Sequence, residues 1–196
     1  MNIIIYILKY TFTFIGNFIY PLLEENLPFK IYCIDLSPRA IEFVKQSPLY
    51  NEEKIIAFPC DVSVTDCFAN ESIEEIDIAS MIFVMSAIRP TLFKTVIENI
   101  FKVLKPNGLL IFRDYAENDM AMFRFKQGSK ISDRHYVRQD GTTTYFFTLN
   151  EMKVLIEEAG FVMETNEYID RRTVNKKENV DVPRIFVQGK YRKPCS

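Results

Sequence analysis

Apolar runs that close on an acid, each followed by a stretch of helical spacing, set the pattern of this 196-residue chain. The run 31–34 (IYCI) closes on Asp35, and Ser37-Pro38 directly behind it opens an amphipathic segment from Arg39 to Gln46. Serine as a cap with proline at the first helical position marks a helix start. Residues 54–60 predict a further strand, its end loosened by Pro59, and it too closes on an acid, Asp61. Residues 76–85 are almost unbroken in apolar character, as a strand buried on both faces reads. Leu92, Val96, Ile97, Ile100, Val103 and Leu104 recur at helical spacing, and Pro106-Asn107-Gly108 predicts where that helix stops. Residues 109–112 predict the next strand, closing on Arg113-Asp114. Strand and helix in this alternation predict an α/β fold, a mostly parallel twisted sheet with helices on both faces.

Both ends and one middle stretch depart from the alternation. Residues 1–23 are nearly all apolar with one charge, Lys9, so that length alone admits a membrane segment. Their β-branched and aromatic content instead predicts a strand over 3–15, a turn at Gly16-Asn17 and a helix to about Glu25. Over 115–145 the periodicity fades, and Arg124, Lys126, Lys130, Arg134 and Arg138 interleave with Phe123, Phe125, Tyr136 and Tyr145. A long stretch without core periodicity inside a small domain is commonly a lid or a docking surface. Thr148 then caps a helix to Ala159, ended by Gly160, and strands are predicted over 161–168 and 184–191. Arg171-Arg172 and Lys176-Lys177 join those two strands as a basic loop.

Composition narrows the class. Apolar residues make up 48% of the chain, with 17 Phe and 10 Tyr, which fits one globular domain over residues 1–196. The net charge of −2 is unevenly spread, −6 over residues 1–120 and +4 over 121–196. That imbalance reads either as a docking face for a polyanion or as two differently solvated faces. Cys33, Cys60, Cys67 and Cys195 form no CxxC pair and have no histidine at ligand spacing, so neither a disulfide framework nor a metal site is expected. This is the cysteine usage of a reduced compartment, cytoplasmic or nuclear.

A strand that delivers one carboxylate to its end, with a capped helix behind it, is the arrangement that reads a ribose in nucleotide-binding folds. Two adjacent hydroxyls donate and one fixed carboxylate accepts both. Asp35 stands at such a place, and its other reading is a helix cap; Asp61 reads as a second ligand of this kind or as a turn carboxylate. His135 lies in an exposed-looking basic stretch and is given no catalytic role.

The blocks IDLSPRAIEFVKQSPLY (34–50), MIFVMSAIRP (81–90), FRDYA (112–116), YVRQDGT (136–142), YFF (145–147) and NEYIDRRTVNKKE (166–178) resemble the methyltransferase-like family that forms 3-methylcytidine in tRNA. The LKPNG turn at 104–108 is common to class I methyltransferases in general. The resemblance implies a Rossmann-like class I fold, S-adenosyl-L-methionine as cofactor and the anticodon loop of tRNA as substrate. An aminoacyl-tRNA synthetase, the seryl enzyme, is an implied partner. It assigns Gly16 and Asp35 to the cofactor, with Asp61 and Val62 at the adenine edge and Ile82, beside Phe83, as an apolar wall. Arg113 and Asp114 become candidates for the base pocket, a buried ion pair being the other reading. Phe125 and Tyr136 become stacking platforms or core aromatics, and Lys126, Arg138, Lys176 and Lys177 phosphate contacts. The departure lies in front: of the family's glycine-rich loop only Gly16-Asn17 remains, with Phe12 and Phe14 where two glycines stand. Residues 1–15 thus read as a replaced amino terminus, with weak cofactor binding expected. The alternatives are a cofactor-deficient protein that binds tRNA or a partner, and a methyltransferase on another substrate.

Overall fold

The run that ends on Asp35 is a strand, and its neighbours assemble around it. In a computed structural model of the chain, residues 2–7, 29–69, 73–175 and 180–195 are described, with residues 2–7, 175 and 180 described by their backbone alone. Five strands are parallel: β1 (Asn2–Ile7), β2 (Phe29–Asp35), β3 (Ile55–Pro59), β4 (Ile76–Ile82) and β5 (Leu104–Tyr115). The order is β3-β2-β1-β4-β5-β10-β9, in which β9 (Val162–Asn175) and β10 (Val180–Arg192) form an antiparallel pair. Strand β10 also runs antiparallel to β5, so the sheet is mixed at one side. The order reverses at β1, which puts a crevice between the β2 and β4 sides at the carboxyl ends of the strands.

Among the described residues three longer helices flank the sheet. Helix α1 (Pro38–Lys45) is capped by the Ser37 hydroxyl on the Ala40 amide at 3.4 Å and buries Ile41 and Val44 against Ile31, Cys33, Ile55 and Ala57. On the other face, α2 (Phe93–Val103) and α4 (Leu149–Glu158) close the larger core, where Phe112, Val96, Ile97, Ile100, Met152 and Ile156 are buried. Thr148 caps α4 through the Glu151 amide at 3.0 Å, and Gly160 behind it takes φ +94°, as expected for a left-handed helix end.

Several expectations change. The first strand is described only as Asn2–Ile7, and Gly16, Phe12, Phe14 and the helix to Glu25 lie outside the described residues. Among the described residues no helix is long and apolar enough to cross a membrane. Strand β4 stops at Ile82 and not near Met85, because Phe83 takes a left-handed φ of 57° and Met85–Ala87 form a 3-10 turn. Strand β5 begins at Leu104, so Pro106-Asn107-Gly108 is an irregularity within it, with Asn107 at φ 65°. The fading stretch 115–145 is not structureless. It holds a short helix α3 (Met120–Phe123) and an antiparallel sheet of β6 (Lys130–Ser132), β7 (His135–Val137) and β8 (Thr143–Tyr145). Arg171 and Arg172 belong to β9, paired across to Arg184 and Pro183, and not to a loop; Arg172 forms a two-bonded pair with Asp181.

Candidate functional site

Asp35 ends β2 almost fully buried, at 1% exposure. Its Oδ1 accepts from the Ser37 amide at 2.7 Å, whereas Oδ2 is buried and has no hydrogen-bond partner among the described residues. Burial pushes this carboxyl up to about 6, against which the Ser37 amide works. An acceptor left bare in an apolar place costs stability, and this one is placed to take a donor from a ligand in the crevice. The Cys60 amide donates to the Asp35 carbonyl at 2.9 Å and ties β2 to the loop after β3.

That loop carries Asp61 and Val62. The Asp61 Oδ1 accepts from the Ser63 amide at 2.9 Å and the Ser63 hydroxyl at 2.6 Å, which is the turn arrangement. Val62 is buried, and its carbonyl accepts from the Asn99 side-chain amide at 3.0 Å. Asn99 also donates to the Val64 carbonyl at 2.7 Å and accepts from the Asp66 amide at 3.1 Å. A buried asparagine on α2 therefore splints the whole loop, a role with no sequence signal beyond a polar residue on an apolar helix face. Ile82 ends β4 on the same edge of the sheet and packs against the α1 cluster. Phe83 does not share its wall: its ring lies on Tyr115, 5.0 Å between centroids, and on Phe186 at 5.4 Å.

Arg113 and Asp114 do not pair with each other, since neighbours along a strand point to opposite faces. Asp114 is fully buried and accepts from the Ser86 amide at 2.8 Å, pinning the turn after β4, and from the Tyr115 amide at 2.9 Å. Arg113 donates to Gln188 of β10; burial and the nearby Arg171 lower its pKa.

Beside this edge the segment after β5 folds back. The Phe147 amide donates to the Tyr115 carbonyl at 2.8 Å, the Glu117 amide to Phe147 at 2.9 Å, and the Thr143 hydroxyl to the Ala87 carbonyl at 3.4 Å. The result is a cavity of about 640 Å³ whose lining includes Tyr115, Phe125, Lys126, Arg138, Phe146 and Arg184. Three predicted RNA-contacting residues thus meet in one place. Tyr136 stacks on Phe125 at 4.7 Å and 22°, so the two rings occupy each other's faces and cannot clamp a base between them. Lys176 and Lys177 lie outside the described residues. His135 is not exposed: it is buried on β7 near Tyr145, and burial lowers its pKa. Among the described residues no cluster suited to a metal ion occurs, and no disulfide joins the cysteines.

A family model described as a methyltransferase domain matches residues 15–166. The tRNA N(3)-methylcytidine methyltransferase trm141 of Schizosaccharomyces pombe is 38% identical over 182 residues, 91% of this chain and 73% of that protein. The chain belongs to the tRNA N(3)-cytidine methyltransferase family. The Mus musculus member, tRNA N(3)-cytidine methyltransferase METTL6, is 49% identical over 180 residues, and there the match covers 92% of this chain and 64% of that protein. The chain thus spans a little under two thirds of that family member's length. A SAM-dependent methyltransferase from Methanosarcina mazei has the same fold, with a TM-score of 0.70 at 17% identity over 100% of this chain and 93% of that one. In this family fold the Asp35 oxygen that lacks a partner among the described residues sits at the switch-point edge, and the cation-lined cavity lies farther along the same edge, at the end of β5.

Proposed function

We propose that residues 1–196 act as one S-adenosyl-L-methionine-dependent methyltransferase domain that forms 3-methylcytidine in the anticodon loop of tRNA. The observation that carries this is the buried Asp35 oxygen without a donor among the described residues at the strand-end crevice, with a cavity lined by cations and aromatic rings on the same edge of the sheet. The residues present fit the cofactor: a ribose brings hydroxyl donors to a carboxylate whose Oδ2 has none among the described residues. The Val62 amide and Asp61 stand at the adenine edge, Ile82 forms an apolar wall, and Gly16 remains assigned from sequence alone. When bound, the cofactor supplies an electrophilic methyl group on sulfonium. The cytosine ring nitrogen has an in-plane lone pair, so the chain's task is alignment and exclusion of water. Asp114 serves this by fixing the turn after β4 through Ser86. Arg113, engaged with Gln188, acts on the base pocket from the opposite face. The aromatic wall of Phe125 with Tyr136 behind it offers one stacking face for an extruded base. Lys126 and Arg138, with Lys176 and Lys177, meet phosphates. Residence in the cytoplasm or nucleus, and a seryl-tRNA synthetase partner, are proposed from cysteine usage and the family resemblance respectively.

A second reading, RNA or partner binding without methyl transfer, is favoured by Phe12 and Phe14 in place of loop glycines. Calorimetry with S-adenosyl-L-methionine, alongside nucleoside mass spectrometry of a tRNA transcript, separates the two. Product 3-methylcytidine establishes the first reading; tRNA binding with neither cofactor uptake nor product establishes the second. Two variants probe the RNA contacts. Lys176→Ala with Lys177→Ala is expected to reduce the salt slope of tRNA binding by about one per lost phosphate contact. Phe125→Ala is expected to weaken binding by roughly 1–3 kcal/mol without altering that slope. An unchanged slope in the double lysine variant would place the phosphate contacts elsewhere.

A further inference from the structure

The cavity is lined by four cationic side chains, Arg124, Lys126, Arg138 and Arg184, and by a single carboxylate, Asp140. Asp140 is already taken up by the Thr142 amide at 3.0 Å and the Thr142 hydroxyl at 2.7 Å. Arg184 is held differently from the others. The Asp119 carboxylate accepts its Nε at 2.9 and 3.1 Å, and Asp119 is itself fully buried and fixed by the Ala121 amide at 2.8 Å and the Ile185 amide at 2.7 Å. These bonds use Nε only; among the described residues Nη1 and Nη2 of Arg184 have no hydrogen-bond partner. Arg138 is steadied by its Nη2 bond to the Thr144 hydroxyl at 3.1 Å. Both guanidinium carbons lie over the ring of Tyr115, at 5.5 Å for Arg184 and 5.7 Å for Arg138.

A guanidinium clamped at Nε is pre-organised, because its remaining fork matches the spacing of two oxygens on one anion. This group and the Arg138 guanidinium about one aromatic ring, with Phe125 and Phe146 as further walls, suit a nucleotide better than an isolated anion. We propose that this cavity seats a single backbone phosphate flanking the methylated nucleotide, carried by the Nη fork of Arg184 together with Arg138, with Asp119 as the positioning residue. This rests on the RNA substrate proposed above and adds where the strand is gripped.

The test is a cycle between protein and RNA with the full chain. An anticodon stem-loop is made with neutral methylphosphonate in place of each loop phosphate in turn, and binding is read by fluorescence anisotropy at fixed salt. The wild type is expected to lose about tenfold in affinity at one phosphate beside the target cytidine. Arg184→Gln, weaker from the start, is expected to lose less than about twofold at that same position. Asp119→Asn loses the charge and keeps an acceptor for only one of the two amides; folded by circular dichroism, it is expected to show the same insensitivity at that one phosphate, which a merely structural role would not produce. Should Arg184→Gln fail to fold, as read by circular dichroism, Arg138→Gln takes its place in the cycle. Equal losses in wild type and variant at every loop phosphate would overturn the assignment while leaving the RNA substrate standing. No binding of the unmodified stem-loop would remove the RNA reading itself, and this inference with it.

Discussion

Asp35→Asn is expected to raise the thermal midpoint of the free protein near neutral pH while removing its affinity for S-adenosyl-L-methionine. Burial lifts this carboxyl from 3.8 to about 6, so the folded state holds its proton more tightly than the unfolded chain does. A raised folded-state value contributes stability that is fully present below the unfolded value and is lost as pH rises through about 6. Above that point the wild type carries a buried charge with one oxygen unpartnered among the described residues. The amide variant carries none. Allowing for an amide nitrogen that inherits the bare position, the gain near neutral pH is about 1–2 kcal/mol, roughly 2–8 °C in midpoint for a chain of this size. The gap should close toward about pH 4, where the wild type is also neutral. Ribose hydroxyls donate to the ionised form, so cofactor affinity in the wild type should rise as pH passes through about 6 and level off above it. Melting curves from acid to neutral pH, with cofactor titrations at the same points, check both halves. A variant less stable than wild type throughout would mean that Oδ2 has a donor in the free protein.

Such a stability cost at one carboxylate was legible as a position but not as an energy. Residues 31–35 declare a buried strand that delivers an acid, and Ser37-Pro38 declares the helix, because both signals are local. The same holds for Thr148 and Gly160 around α4. The small sheet of 130–145 left no such trace, since strands of three residues, KIS, HYV and TTY, are too short to show a period of two. The apolar run continues through Phe83 and so extends β4 too far in sequence; only the backbone turn at φ 57° ends the strand. The cavity depended on pairings across distance. Arg184 and Asp119 stand 65 positions apart, and Asn99 reaches the loop at Val62 and Val64 across 37 and 35 positions. Each is an ordinary polar residue within its own segment. The interleaved cations and aromatics of 123–145 are legible without a partner, because charge and ring content are properties of composition, and several of them line the cavity.

Gly189→Ala is expected to destabilise the fold by about 3–5 kcal/mol, although it adds one methyl group to a strand. Gly189 lies on β10 opposite Phe112 and Asn166, and the register of β10 against β9 shifts just beyond it, between Lys190 and Tyr191. That irregularity brings the Tyr191 ring back beneath the glycine. A Cβ at 189 would lie 2.8 Å from Cε1 of the ring and closer still to Cζ and the hydroxyl. The ring cannot yield, since Tyr191 is fully buried and its hydroxyl donates to the Asn166 side-chain carbonyl at 3.0 Å. Asn166 in turn donates to the Leu149 carbonyl at 2.8 Å, where α4 begins. Moving the ring therefore breaks a buried bond and loosens the contact between α4 and the sheet, so strain and an unpaired polar group add together. A glycine inside a strand commonly marks such a close approach. Denaturant unfolding of Gly189→Ala, Tyr191→Ala and the pair forms a cycle that isolates the clash. In the Tyr191→Ala background the added methyl should cost less than about 1 kcal/mol, because the truncated side chain leaves room for it. If Gly189→Ala costs the same in both backgrounds, the glycine is required by the backbone of β10 and not by the ring packed on it.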